Sequence, residues 1–175
     1  MDVSDAILSF GREHVLTKVA ETDLVRWVAL SRVRGLGCVS FKKLAGHFED
    51  PTEALSAPAV ALTEIQGLDE NIIDGLRNFS AWAEAEKEII RAEKANVKIV
   101  PFTDSTYPAR LRMIADPPPL LYLKGEIRSE DQKAVAVVGS RSTSDYGRRV
   151  ARDLCRGLAS LGFTVVSGMA RGIDA

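Results

Sequence analysis

The chain has 175 residues, 46% hydrophobic and 27% charged, with a formal net charge of −1. That balance describes a globular chain and excludes a disordered one. No apolar run approaches the roughly 18 residues of a membrane helix, and the opening MDVSDAILSF is acidic where a secretory signal would be basic, so the expected location is cytoplasmic, without membrane attachment.

Chemistry-bearing residues are few. Cys38 and Cys155 are far apart, and His14 and His47 lie near no obvious nucleophile. The sequence therefore offers neither metal-ligand spacing nor a Ser-His-Asp arrangement, and no metal, cofactor or catalytic residue is expected. The charge is uneven: residues 131–175 carry seven Lys/Arg against four Asp/Glu, while the remainder is acidic. A basic excess in that segment points to a polyanionic partner, or to a solvated helix face.

In chain order, TDLVRWVALSRV (Thr22 to Val33) reads as a helix, with Thr22 as N-cap and Leu24, Trp27, Val28 and Ser31 on one stripe. RGLG interrupts it, and CVSFKKLAGHF resumes helical spacing through Val39, Phe41, Leu44, Ala45 and Phe48. The design repeats. Ile65-Gln66-Gly67-Leu68 is again a short glycine turn, before a helix carrying Ile72, Ile73 and Leu76. Such helix-hairpin-helix units can bring backbone N–H groups to a phosphate. The acidic surroundings, with Asp69 and Glu70 after Gly67, favour a packing role.

SAWAEAEKEIIRAEKA (Ser80 to Ala95) is a further helix, and the break in period after it sets the expected domain boundary: a helical domain over 1–96 and a second domain over 97–175. VKIVPF and LLYLKG read as strands, separated by a short helix from Pro108 to Met113 and an extended Pro117–Pro119 segment. KAVAVVG is a small and β-branched run of the kind covered on both faces. Residues 145–161 then form a helix packed through Val150, Ala151, Leu154, Cys155, Leu158 and Leu161, and FTVVSG is the next strand. Strand, glycine turn, helix and strand make a βαβ unit and a parallel sheet.

The turn AVAVVGSRSTSDYG has no G-x-G-x-x-G and no G-K-[ST]. Gly139 is expected to end the strand in a conformation closed to other residues, with Gly147 in the helix start. Ser140, Ser142 and Ser144 supply hydroxyls, Arg141 offers a planar fork for phosphate oxygens, and the helix dipole favours an anion. Ser167, Gly168, Arg171 and Gly172 repeat the design one strand over. Arg148, Arg152 and Arg156 form a basic stripe, read as a solvated face or a track for further phosphates. Asp145 and Asp174 are the nearby carboxylates, which favours binding over catalysis.

These motifs, with YPARLRMIADPPPLLYLKG upstream and VVSGMARGIDA downstream, resemble the DNA-processing protein A family (DprA/Smf), in three blocks covering residues 107–175. The helical half is similar to that family's sterile-alpha-motif-like domain. The resemblance implies an extended Rossmann-like core and a non-enzymatic, single-stranded DNA-binding protein of natural transformation that protects incoming DNA and helps load the RecA recombinase. It carries the family's DNA-binding arginine onto Arg141, its Gly-Ser turn onto Gly139 and Ser140, and its second turn onto Ser167, Gly168, Arg171, Gly172 and Asp174. Members continue past the G-I-D motif, so the chain reads as a truncated front portion. Homodimerisation and RecA contact are implied for intact members and left open for this chain. Two other classes stay in view: a Rossmann-like nucleotide phosphoribohydrolase, whose P-G-G-x-G-T-x-x-E stretch does not occur here, and a helical protein-interaction module.

Overall fold

The computed structural model describes residues 23–175. They divide into two compact units, with the division between Gly125 and Glu126. In the first, α1 (23–31) turns into α2 (Cys38–His47), and a 3-10 turn at Pro51–Leu55 leads to α3 (Ala59–Thr63), α4 (Glu70–Arg77) and α5 (Trp82–Lys94). The expected repeat is present. The α1–α2 and α3–α4 turns follow the same backbone course, with Gly35 at φ 83° and Gly67 at φ 71°.

The two copies differ at the helix that follows. Asp69 caps α4 by accepting the Asn71 N–H at 2.8 Å, whereas Gly37 leads into α2 without a side-chain cap. Lys43 donates to the Gly67 carbonyl, tying the second turn to the second helix of the first copy. Trp27, Val28, Leu30, Phe41, Leu44, Leu62, Ile72 and Leu76 form the buried core. Val39, expected on the apolar stripe of α2, is 61% exposed.

The strands β1 (Lys98–Pro101) and β2 (Leu120–Leu123) pair antiparallel, Ile99 opposite Tyr122, with α6 (Ala109–Arg112) between them in sequence. Ile99 and Leu120 belong to the helical core. An edge-to-face series runs from Trp27 to Phe41 to Phe102 to Tyr107, with centroids 5.3–6.1 Å apart. The Arg112 guanidinium lies over both Phe102 and Tyr107. Tyr107 is buried and donates its hydroxyl to the Pro118 carbonyl at 2.9 Å. The Tyr-Pro and Asp-Pro-Pro-Pro motif thus has a structural task here, locking the segment between the strands. Packing draws this segment into the helical unit, later in the chain than the break in period near residue 96.

In the second unit, a 3-10 turn at Ser129–Gln132 precedes β3 (Ala134–Ala136), α7 (Asp145–Ser160) and β4 (Thr164–Val166). β3 and β4 pair parallel, Val135 opposite Val165. The chain is therefore α/β, a helical part followed by the βαβ start of a Rossmann-like region. Asp131 anchors the lower end of this sheet. Its carboxylate accepts from the Arg128 N–H at 2.8 Å and the Thr164 hydroxyl at 2.9 Å, and these bonds hold its pKa below the usual carboxylate value.

Two expectations for this unit are corrected. No residue from 126 to 175 is buried, so β3 is not covered on both faces. On α7, Ala151, Cys155 and Leu158 are partly covered, but Val150 and Leu154 stand 46% and 54% exposed, and Leu161, which caps the helix, 75%. A two-stranded sheet covers one stripe of a helix, and among the described residues nothing lies over the second.

Candidate phosphate-binding turns

Chain geometry builds the first turn. β3 runs out toward Gly139, and α7 begins six residues later with Ser144 as its N-cap, accepting the Gly147 N–H at 3.2 Å. Asp145 sits in the first turn, where the helix dipole favours negative charge. Between them, the Ser140 hydroxyl donates to the Ser142 carbonyl at 2.8 Å and accepts the Ser142 N–H at 3.2 Å. Ser140 therefore folds the turn on itself, while Arg141, Ser142 and Ser144 remain exposed. Among the described residues, the N–H groups of Arg141, Thr143, Asp145 and Tyr146 have no acceptor, and Arg141 and Arg171 have no carboxylate partner.

The second turn interlocks with the first through the backbone. Ile173 donates its N–H to the Ser140 carbonyl at 3.2 Å. Gly172 has φ 103°, and a Cβ there would stand 2.1 Å from the Ser140 oxygen, so only glycine permits the contact. Gly139 is required for a different reason than expected. Its φ is not in the left-handed region; instead, a Cβ would lie 2.7 Å from the Ile173 side chain. Ser167 turns its hydroxyl inward, donating to the Asp174 carbonyl at 2.9 Å. Gly168 leaves room for the Asp174 carboxylate, whose Oδ2 a Cβ would approach to 3.1 Å. The fold brings nine of the ten sequence-derived positions into these two adjoining turns and places the tenth, Gly147, in the first turn of α7, facing Thr143.

The arginine stripe on α7 is divided. Arg148 pairs with Asp145 and donates to the Thr143 carbonyl, and Arg156 lies 3.4 Å from Asp153. Arg152 has no such partner among the described residues, and with Arg148, Cys155, Gly172 and Ile173 it lines a hollow of about 260 Å³. Two of the three guanidiniums thus have a carboxylate at hand already, which weakens the stripe as a continuous phosphate track. Asp174 does more than stand near the turns. Its Oδ1 accepts the Gly139 N–H at 3.0 Å, across 35 residues of chain, and no local pattern announces such a pairing.

Among the described residues there is no group of three or more His, Cys, Asp or Glu placed to hold a metal ion, and no helix is long and apolar enough to cross a membrane.

A βαβ unit with two interlocked glycine turns, at the carboxyl ends of neighbouring parallel strands, is of the Rossmann-like class, where ligands bind beyond the strand ends. The comparisons narrow the class. The model of the family described as DNA recombination-mediator protein A matches residues 98–175. The protein Smf of Synechocystis sp. is 34% identical over 165 residues, which cover 90% of this chain and 40% of that protein. The DNA processing protein DprA of Bacillus subtilis is 27% identical over 128 residues, covering 71% of this chain and 42% of its own. The DNA processing protein DprA of Streptococcus pneumoniae is 37% identical over 106 residues, covering 58% and 37%. The chain belongs to this DprA/Smf family, and it spans about 40% of the length of these relatives.

Proposed function

We propose that this chain binds single-stranded DNA through its sugar-phosphate backbone, at the turns 139–147 and 167–172, and acts in DNA processing and recombination in the cytoplasm. One observation carries the reading: exposed Arg141 stands at the start of α7 beside N–H groups that have no acceptor, with the second arginine-bearing turn locked against it. A guanidinium and free N–H groups are matched to phosphate oxygens, and contacts to phosphates carry no sequence information directly. Affinity then comes from neutralising phosphates, without sequence preference and with steep salt dependence. The names of the relatives support a DNA ligand, and the role is that of a binding protein. Asp145 and Asp174, the two carboxylates at hand, are held by Arg148 and by the Gly139 N–H and have no reacting group beside them. The proposed role extends to delivery of the bound strand to RecA and to a homodimer that presents two such sites.

The test is fluorescence anisotropy of a labelled oligo-dT across a salt series, with Arg141→Ala in parallel. The native chain should bind with salt-sensitive affinity. The variant should lose about 1–3 kcal/mol, the scale of a charge-assisted contact, and its log–log salt slope should flatten by about 0.7, one phosphate's share on a single strand. Equal binding by both proteins would remove Arg141 from the site.

A further inference from the structure

Asp174 puts a negative charge inside a site read as a phosphate binder. Its Oδ1 takes the N–H of Gly139 at 3.0 Å, and its Oδ2 lies against Gly168, so the carboxylate spans the two glycines that end β3 and β4. In open α/β sheets this crevice, beyond the strand ends, is where a nucleotide phosphate is received. The same residue is tied down by its own backbone, its carbonyl accepting the Ser167 hydroxyl, and its neighbour Ile173 donates to Ser140. We infer that Asp174 is a positioning and specificity-determining residue: it fills the innermost anion seat with the protein's own carboxylate. A free phosphate or mononucleotide is thereby refused at Gly139, and a bound phosphate is displaced outward to Arg141 and the unpartnered N–H groups at the start of α7. The inference rests on the reading of these turns as a DNA-backbone site, and it explains how a Rossmann-like crevice can serve an extended strand in place of a nucleotide.

The two replacements that separate charge from shape are Asp174→Asn, which keeps an oxygen on the Gly139 N–H, and Asp174→Ala, which empties the seat. With the 15N-labelled chain, the Gly139 amide resonance is followed while inorganic phosphate is added, and oligo-dT binding is measured in parallel. The native Gly139 resonance should not respond to phosphate, and that of Asp174→Ala should shift in a saturable manner. Asp174→Asn should move the Gly139 resonance upfield in the absence of phosphate, because a neutral acceptor makes a weaker bond. It should bind oligo-dT as tightly as the native chain, or up to about fivefold tighter, because a nearby like charge is gone. Native Gly139 responding to phosphate, a Gly139 shift indifferent to Asp174→Asn, or loss of oligo-dT binding in Asp174→Asn would each overturn the inference. If Asp174→Ala does not fold, the Asp174→Asn shift and binding still decide. Failure of every protein to bind oligo-dT, with the resonances behaving as described, would count against the DNA reading and leave the guarded seat standing.

Discussion

The two units of this chain solve the problem of holding a shape in opposite ways. The first buries Trp27, Leu30, Phe41, Leu44, Leu62 and Leu76, and its turns serve that core. The second buries no residue, and its geometry rests on hydrogen bonds of the backbone: β3 against β4, the Val137 N–H on the Val166 carbonyl, the Ile173 N–H on the Ser140 carbonyl and the Gly139 N–H on the Asp174 carboxylate. The candidate site lies wholly in the second. Glycine turns recur in both units, and the first hairpin turn also has an exposed arginine, Arg34, before the uncapped start of α2; the turns after the strands differ in that two arginine-bearing turns interlock through the backbone. Among the hairpin turns, Asp69 closes the second with its own carboxylate. A glycine turn at a helix start is thus not a site by itself; the charge beside it decides which anion it receives.

This contrast can be broken most forcefully from the core side. Phe41→Ala should cost the helical unit about 3–5 kcal/mol, since it empties a fully buried site and removes two aromatic partners. Both tryptophans, Trp27 and Trp82, lie in that unit, so denaturant unfolding followed by tryptophan fluorescence reports it directly. A change below about 1 kcal/mol would mean that Phe41 is not the keystone its packing indicates.

Gly139→Val sharpens the other side. The added side chain collides with Ile173, so oligo-dT binding should be lost while the tryptophan-reported transition stays in place. A shift of both would dissolve the division between core-held and backbone-held parts. The smallest effect is expected at Leu154→Gln. A leucine 54% exposed on α7 has little burial to lose, so stability should change by no more than about 0.5 kcal/mol. A loss several times larger would show that this stripe is covered in solution.

Local pattern carried much of the fold into view. The repeated h-x-G-h turns, the helix-forming composition after Ser80 and the strand–turn–helix–strand order all express themselves within a few residues, and the structure holds each of them. Thr22, the expected cap of the first helix, lies outside the described residues. What sequence did not disclose depends on distant partners. The segment from Lys98 to Leu123 packs with the helices because Phe102 meets Phe41, a contact that no periodicity encodes. Gly139 was legible as essential, but the reason, Ile173 against it, comes from the other turn. Arg148 looked free in a stripe, and its pairing with Asp145 at i−3 was readable only with the helix start fixed by Ser144.

The most direct measurement maps oligo-dT onto the 15N-labelled chain by amide chemical-shift perturbation. A site in the turns requires the largest shifts at 139–147 and 167–174, with residues 33–37 and 65–69 unmoved. Shifts concentrated in the hairpin turns of the helical unit, and none beside Arg141, would contradict the account.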